Sequence, residues 1–211
     1  MYKRQASALA DSPAQRSEPA ARADRRWGLV ALVTGLLGFY GAATLVYERV
    51  QLFLDAGHRT SCDINSWLSC GTVMRTPQAE AFGFPNPFIG IVAYAVVLAV
   101  ALAVLAGARF AAWYWWGVQI GVTLGWVFVL WLWFQTTFEI NALCLYCMLV
   151  WVMQTVLVVQ TTARNLRAGV LPAPAAVARG AEQWAWFAAA ALLVLIFGTV
   201  LIRFAGVIFP A

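Results

Sequence analysis

Five long stretches without a charged residue divide this chain of 211 residues. Each is close to the length of about 20 apolar residues that a helix needs to cross the hydrocarbon core of a bilayer. The composition excludes a soluble domain, because 63% of the residues are hydrophobic and 11% are charged. The sequence therefore predicts an all-α membrane protein with transmembrane helices over residues 27–47, 87–107, 111–134, 142–162 and 184–202.

The segments between the predicted spans differ in composition and length. Residues 1–26 are rich in Ala, Ser, Pro and Arg and have no apolar period, which predicts a disordered tail. The connection over residues 48–86 is much longer than the others. A proline-containing linker over residues 162–183 precedes residues 184–211, which hold the fifth helix and the C-terminal end. The spans leave little of the chain for a soluble catalytic domain, so any chemistry is expected in the helices or their short loops.

Arginine and lysine predict the orientation of the helices. They are concentrated in the tail and in the linker, whereas the loop before the fourth span carries Glu139 instead. Cytoplasmic loops are enriched in these residues, so we expect a cytoplasmic N-terminus and linker, with the loop over residues 48–86 and the C-terminal end on the outer side. The basic residues are scattered between hydrophobic spans, so the net charge of +5 does not indicate a nucleic-acid partner.

All four cysteines lie on the outer side in this topology. Cys62 and Cys70 belong to the long loop, and Cys144 and Cys147 open the fourth span. Disulfides persist in oxidising compartments outside the cytoplasm, so the sequence predicts two disulfide-capable pairs. The loop pair is expected to move, and thiol exchange between a mobile pair and a fixed pair would form an electron relay.

The second pair forms a Cys-Leu-Tyr-Cys motif whose spacing places both sulfurs on one helix face. We expect Asn141 to be the N-cap of that helix, which puts Cys144 in the first turn, where the helix dipole favours a thiolate. Cys147 lies one turn deeper among apolar residues, within reach of a lipid-soluble oxidant. This placement predicts an electron acceptor dissolved in the membrane.

Other interpretations of the cysteines stay open at this point. An all-cysteine zinc site normally has two close pairs, whereas seven residues separate Cys62 from Cys70, so we expect no metal. A membrane scaffold or transporter component with two inert disulfides is a second alternative, although a Cys-x-x-Cys pair is usually reactive. We expect His58 to be a solvated loop residue and Arg203 to snorkel at the end of the fifth span.

The order and spacing of these motifs resemble the vitamin K epoxide reductase family, specifically its bacterial members that re-oxidise disulfide-forming thiol oxidoreductases. The resemblance covers residues 27–161 and rests on the two cysteine pairs and on the Asn86-Pro-Phe-Ile-Gly90 segment that enters the second span. It implies a four-helix transmembrane bundle around a quinone, to which the fifth helix is added. We expect this member to lack the thioredoxin-like domain that some bacterial members carry fused, so its reductant is a separate DsbA-like protein.

The resemblance also implies roles for individual residues. Cys147 is expected to face the quinone ring and Cys144 to link it to the loop pair, and which loop cysteine meets Cys144 stays open. Asn86 corresponds to the family's polar group that hydrogen-bonds a quinone oxygen, and Trp151 to an aromatic position beside the ring. Thr76 stands where many members have serine and keeps a hydroxyl, so it is a further cofactor-binding candidate. Without the resemblance, Asn86 is also explained as a cap of the second span.

The implied function is the oxidation of protein thiols coupled to quinone reduction in the bacterial inner membrane, with the active site on the periplasmic side. A DsbA-like partner would reduce the loop pair, which would pass two electrons through Cys144 and Cys147 to the quinone. The dominance of arginine over lysine suggests a GC-rich bacterial genome and, through it, menaquinone rather than ubiquinone. Reduction of vitamin K epoxide itself is an alternative reaction. A DsbB-type oxidase does the same work with its two pairs in the opposite order.

Overall fold

The computed structural model of the protein describes residues 13–208, and residues 1–12 and 209–211 lie outside the described part. Its helices are α1 (Pro13–Leu54), α2 (Cys70–Met74), α3 (Pro87–Leu105), α4 (Ala112–Phe134), α5 (Leu145–Arg167) and α6 (Ala175–Ile208). A short 3₁₀ helix spans Pro77–Glu80, and a π-helical turn spans Gln135–Ile140 at the end of α4. Within the described residues, five helices are long and apolar enough to cross a bilayer. The predicted all-α, multi-pass architecture is confirmed.

Helix α1 begins earlier than the sequence predicted. Residues 13–26 are helical, so the prediction of a disordered tail is wrong for this stretch, and its remaining residues 1–12 lie outside the described part. Ala and Arg are frequent in this stretch and are strong helix formers, and Pro13 stands in the first helical turn, where a proline is tolerated. A contact with another helix also holds it, because the carboxylate of Asp24 lies 2.8 Å from the guanidinium of Arg164 on α5.

Helix α5 lies at the centre of the bundle. It packs against α1, α4 and α6, and α1 also packs against α3. The close approach of α1 to α3 depends on Gly38, where any Cβ would collide with the ring of Tyr94. Helices α1, α3, α4 and α5 thus form one bundle, and α6 is added on the side of α5.

One end of the bundle carries the four cysteines. Helices α1, α4 and α6 end there, and α3 and α5 begin there. The loop over residues 55–86, with α2 and the 3₁₀ helix inside it, connects α1 to α3 at this end, which we call the cysteine end. The bundle therefore presents the loop cysteines and the start of α5 to each other.

Buried polar side chains join the helices at the opposite end. Asn165 of α5 donates to the Oε1 of Gln119 on α4 at 3.1 Å, and the Nε2 of Gln119 donates to the hydroxyl of Thr162 at 2.9 Å. The indole N–H of Trp27 on α1 donates to the hydroxyl of Thr161 at 2.9 Å. Side-chain hydrogen bonds between helices are a common means of association in apolar surroundings. They hold α1, α4 and α5 together away from the cysteines.

Candidate active site

Three of the four sulfurs meet at the cysteine end. Cys62 and Cys70 are joined by a disulfide, and the Sγ of Cys70 lies 2.8 Å from the Sγ of Cys144. The sulfur atoms of these three residues all lie within 4.8 Å of one another. Cys144 and Cys147 are free thiols. The chain thus brings the loop disulfide into contact with a thiol at the start of α5, as thiol–disulfide exchange requires.

A short backbone pairing between the loop and the residues before α5 brings these sulfurs together. The N–H of Leu143 donates to the carbonyl of Trp67 at 2.7 Å, and the N–H of Ser69 donates to the carbonyl of Leu143 at 2.9 Å. These bonds form a parallel bridge between Leu68 and Leu143, each of which comes shortly before a cysteine. Backbone hydrogen bonds therefore determine where the loop disulfide lies over α5.

The helix that carries the Cys-x-x-Cys pair begins later than predicted. Asn141 is not its N-cap, because it adopts a left-handed conformation with φ 55° and ψ 34° at the end of the π-helical turn. Cys144 is the N-cap instead, and its Sγ accepts the N–H of Cys147 at 3.4 Å. The bridge between Leu68 and Leu143 holds the backbone before Cys144 in a strand-like pairing, so the helix cannot begin at Asn141.

An apolar cavity lies beside Cys147, between α1, α3, α4 and α5. Cys147 lines its wall and the other three cysteines do not. The cavity has a volume of about 150 Å³ and is open on one side. A cleft lined mostly by apolar side chains with a few polar groups is the usual form of a site for a small molecule or cofactor. Besides Cys147 and the indole of Trp151, the polar side chains in its lining are those of Arg49, Asn86, Tyr94 and Gln154. The sulfur path that starts at the loop disulfide thus ends at an apolar site.

The sequence model of a protein family described as the vitamin K epoxide reductase family matches residues 29–162. The chain belongs to the vitamin K epoxide reductase family. This is a family of thiol–disulfide and quinone oxidoreductases, and the matched region contains all four cysteines and the helices around the cavity. It ends within α5 and does not include α6. A comparison with curated proteins finds no matching relative.

Asn86 is the polar residue that the resemblance to the vitamin K epoxide reductase family assigned to a quinone oxygen. It is buried at the cavity wall, where its Nδ2 donates to the carbonyl of Gln78 at 2.7 Å and its Oδ1 accepts the N–H of Ala81 at 3.1 Å. One amide N–H is left for a ligand. The alternative prediction that its side chain caps α3 is wrong, because Asn86 occupies the N-cap position without making such a hydrogen bond.

Trp151 and Thr76, the other two candidates from the family resemblance, differ in their relation to the cavity. Trp151 is 1% exposed and lines the cavity one turn after Cys147. Thr76 is not among the lining residues, and its hydroxyl donates to the carbonyl of Val73 at 2.8 Å. The structure therefore places Trp151, Cys147 and Asn86 at one cavity and leaves Thr76 outside it.

Asp63, which follows the first loop cysteine, holds the loop around the disulfide. Its carboxylate accepts the hydroxyl of Ser69 at 2.6 Å and the N–H groups of Gly71 and Thr60 at 2.9 Å each. Burial alone raises the pKa of Asp63, but the three hydrogen bonds, led by the one from Ser69, outweigh it and leave the pKa below its ordinary value. The ionised carboxylate ties the two ends of the disulfide loop together.

His58 is not the solvated loop residue that the sequence predicted. Its Nε2 lies 2.8 Å from the Oε2 of Glu48, a buried side chain of α1. The other carboxylate oxygen of Glu48 accepts the N–H of Ser61 at 2.9 Å. Glu48 therefore anchors to α1 the part of the loop that comes directly before the disulfide. A single histidine and a distant glutamate carry no spacing signal, so the sequence did not indicate this contact.

Sequence reasoning missed three polar residues of the cavity, namely Arg49, Tyr94 and Gln154. The Nε of Arg49 and the hydroxyl of Tyr94 are buried and have no hydrogen-bond partner among the described residues. The amide of Gln154 donates to a backbone carbonyl of α4 at 2.8 Å. A signal for Gln154 exists, because Cys147, Trp151 and Gln154 follow the i, i+4, i+7 pattern of one helix face. Polar residues inside an apolar span are functional candidates.

The three clustered sulfurs are also close enough to one another to ligate a metal ion. Zinc binding needs thiolates, and the disulfide between Cys62 and Cys70 leaves the cluster one free thiol, that of Cys144. The arrangement therefore suits disulfide exchange better than metal binding.

Proposed function

We propose that this family member oxidises protein dithiols and passes two electrons to a membrane quinone, and thereby supports disulfide bond formation. The proposed electron donor is a separate DsbA-like protein with a thioredoxin fold. The observation that carries the proposal is the path of sulfur atoms, in which the loop disulfide touches Cys144 and the next sulfur, that of Cys147, lines an apolar cavity. Two inert disulfides would not account for free thiols at both of these positions.

In the first exchange, the partner's electrons enter the loop. A thiolate of the partner attacks Cys62, the bond to Cys70 breaks, and Cys70 leaves as a thiolate. The partner's second thiolate then attacks the mixed disulfide and releases Cys62, so the partner gains a disulfide and the loop gains two electrons. The contact between Cys70 and Cys144 supports Cys62 as the partner-facing cysteine. Since Cys62 is 2% exposed, the loop has to open before a partner can reach it.

In the second exchange, the electrons pass from the loop to the cysteine pair of α5. The Cys70 thiolate attacks Cys144 in the Cys144–Cys147 disulfide, and Cys147 leaves as a thiolate. The Cys62 thiolate then attacks Cys70, which restores the loop disulfide and frees Cys144. The loop returns the two electrons that it received. A loop disulfide together with free Cys144 and Cys147 is the state at the end of this exchange.

The cavity next to Cys147 fits a quinone head group. Asn86, Tyr94 and Trp151 would hold a quinone beside Cys147, and the quinone would supply the acceptor for the two electrons and two protons that Cys144 and Cys147 lose as their disulfide re-forms. The remaining N–H of Asn86 is a donor for a carbonyl oxygen, and the ring of Trp151 provides a flat apolar wall. The hydroxyl of Tyr94 is a second donor, because a buried hydroxyl without a partner costs about 1–3 kcal/mol and a carbonyl ligand would remove that cost.

We place the cysteine end on the periplasmic side of a bacterial inner membrane and the N-terminus in the cytoplasm. The basic residues support this orientation, because a group of arginines lies at the end of the bundle opposite to the cysteines, where positive residues mark the cytoplasmic side. These residues are Arg25, Arg26, Arg164, Arg167 and Arg179. The arginine-rich composition favours menaquinone over ubiquinone as the acceptor.

The replacement of Cys147 with alanine tests the proposal. Purified protein is mixed with a reduced DsbA-like protein and a water-soluble menaquinone analogue, and quinol formation is followed by absorbance. We expect the rate to fall at least about 1,000-fold, because the loss of a reacting group removes the chemical step rather than binding. Thr44→Val serves as the control, since this hydroxyl bonds to its own helix. Quinol formation by the Cys147 variant at the unmodified rate would contradict the proposal.

A further inference from the structure

We propose that α6 is a positioning element for thiol exchange, which holds both segments of the bridge between Leu68 and Leu143 and, with them, the contact between the Cys70 and Cys144 sulfurs. The inference rests on the relay proposed above and assigns a role to a helix that lies outside the matched family region. Two consecutive residues near the end of α6, Arg203 and Phe204, make the contacts. We call these two residues the α6 clamp.

Arg203 holds the segment that leads into Cys144. Arg203 is exposed near the end of α6, and its Nη2 donates to the Oδ1 of Asn141 at 2.6 Å. Asn141 has the left-handed conformation that ends the π-helical turn, and its Nδ2 donates to the carbonyl of Glu139 at 3.3 Å. A charged donor makes a short, strong hydrogen bond to an amide oxygen. Arg203 therefore stabilises the turn that aims the chain toward the bridge.

Phe204 holds the loop segment. Its side chain is 4% exposed, and its ring centroid lies 6.0 Å from that of Trp67. The backbone carbonyl of Trp67 accepts the N–H of Leu143 in the bridge itself. Phe204 also belongs to the same buried apolar cluster as Leu143. The α6 clamp thus contacts both chain segments at the point where they pair, and neither of its residues lies within the cavity lining.

Further contacts keep α6 in register with the site. The indole N–H of Trp133 on α4 donates to the carbonyl of Ile196 at 3.3 Å. The ring of Phe197 lies 6.2 Å from that of Trp151, which lines the cavity. Buried Ile196, Val200 and Phe204 follow one face of α6, as the i, i+4, i+8 spacing of a packed helix requires. One helix face therefore runs from the cavity wall to the bridge.

The clamp matters because sulfur exchange depends on the position of the attacking thiolate. A misplacement of about 1 Å can slow a reaction about 100-fold when the reacting groups must approach in one geometry. Loss of either clamp residue frees one segment of the bridge, which lets the Cys70 and Cys144 sulfurs separate. Arg203 does not line the cavity beside Cys147. Its loss should therefore slow thiol exchange and leave quinone binding unchanged.

The direct test measures Cys70–Cys144 bond formation in full-length protein in which Cys62 and Cys147 are replaced with serine. Oxidised glutathione is the oxidant, and it is reduced to two glutathione molecules as the bond forms. The rate is followed by alkylation of the remaining thiols and gel shift. We expect Arg203→Gln and Phe204→Ala each to slow bond formation about 10- to 100-fold. Ile202→Ala on the same turn, at a side chain that is 80% exposed, should leave the rate within twofold.

Conservative variants separate positioning from folding. Arg203→Lys and Asn141→Asp each retain a charge-assisted contact. Each variant should therefore form the Cys70–Cys144 bond at close to the rate of protein with the unmodified clamp. Asn141→Gly keeps the left-handed backbone but removes the acceptor for Arg203, so it should slow bond formation as Arg203→Gln does. The double variant that combines Asn141→Gly with Arg203→Gln should be no slower than either single variant. In protein with all four cysteines, Arg203→Gln should lower kcat for quinone reduction and leave the KM for the menaquinone analogue within twofold.

The outcomes distinguish the two proposals. If the background protein with Cys70 and Cys144 alone forms no bond between them, the relay proposed above is wrong. If that protein forms the bond quickly and both clamp variants form it at the same rate, the relay stands and the role of α6 is wrong. A loss of rate in Arg203→Gln that Arg203→Lys does not restore, with additive effects in the double variant, also contradicts the clamp.

Discussion

The two ends of the bundle use buried polar groups in different ways. At the end away from the cysteines, Asn165, Gln119 and Thr162 bond to one another and join two helices. At the cysteine end, polar side chains such as Asp63 and Asn86 bond mostly to the backbone of the loop. The first arrangement joins helices to each other, and the second determines the shape of a loop.

Buried polar atoms without a hydrogen-bond partner are also distributed unequally between the two ends. Among the described residues, the unpartnered side-chain atoms belong to Arg49, Thr60, Tyr94, Thr137 and Gln160. Four of them lie around the cavity, in the loop or in the π-helical turn, and Gln160 is the exception. An unpaired buried group costs stability unless a ligand or a moving segment supplies a partner. We therefore expect stability to depend mainly on the paired polar groups of one end and reactivity on the cysteine end.

The largest effect should follow from Cys144→Ser. The serine oxygen can still accept the N–H of Cys147, and Cys144 is a free thiol, so the stability of the protein should be almost unchanged. Quinone reduction should fall at least about 1,000-fold, because the sulfur that joins the loop disulfide to Cys147 is gone. Stopped-flow absorbance measures quinone reduction, and thermal unfolding measures the stability. A variant that keeps a tenth of the activity would argue against the relay.

A substitution at the opposite end of the bundle should lower stability and leave quinone reduction almost unchanged. Asn165→Leu leaves the Oε1 of Gln119 without its donor and should lower the free energy of unfolding by about 2 kcal/mol. The kcat and the KM for the menaquinone analogue should stay within twofold, since the cavity and the sulfurs are distant. Unfolding in mixed micelles with a denaturing detergent measures the stability, with Thr44→Val as the control. A large loss of kcat in folded protein would show that the two ends are not separate.

Tyr94→Phe tests a cavity residue that lies between the two ends of the bundle. The hydroxyl has no partner among the described residues, so its removal should leave the ligand-free protein as stable as before or more so. If the hydroxyl donates to the quinone, the KM for the analogue should rise about fivefold, which corresponds to one hydrogen bond of about 1 kcal/mol. Tyr114→Phe, at the start of α4 and outside the cavity lining, should change neither quantity. An unchanged KM together with lower stability would place the hydroxyl in the structure rather than in the ligand site.

How much the sequence could predict also differs between the two regions. The spans follow from uncharged stretches, so local patterns predicted the helices. Trp151 was assigned a place beside the quinone ring through the family resemblance, and it lines the same cavity as Cys147. The start of α5 was wrong because Asn141 is a good N-cap by type, and a backbone pairing with the loop overrides that preference. No local pattern indicates that pairing.

Contacts between distant residues account for the other errors. Arg203 and Asn141 are 62 positions apart, and the contact of His58 with buried Glu48 depends on how the loop folds back on α1. From residue type alone, His58 was assigned a solvent role, Arg203 a membrane-surface role and Asn141 an N-cap role. Their partners become evident only when helix packing brings the chain segments together, which is why the cysteine positions were predictable and the groups that orient them were not.

The smallest effect concerns the loop of the cysteine end and depends on pH. The hydrogen bonds to Asp63 keep its folded pKa below the ordinary value of 3.8, so its contribution to stability is fully present above that value and is lost as the pH falls through the lower, folded pKa. Asp63→Asn should therefore lower the free energy of unfolding by about 1 kcal/mol at pH 7, and the difference should shrink below about pH 4.

Unfolding measured in detergent between pH 3 and pH 7 tests this dependence on Asp63. Asp55→Asn controls for the change in net charge, because its exposed carboxylate accepts one N–H in the same loop. A difference between Asp63→Asn and the unmodified protein that stays constant or grows as the pH falls would contradict the assignment. The same variant should slow Cys70–Cys144 bond formation at pH 7, since the carboxylate ties together the loop that presents the disulfide. An Asp63 variant that changes stability alone would place this carboxylate with the polar groups of the opposite end.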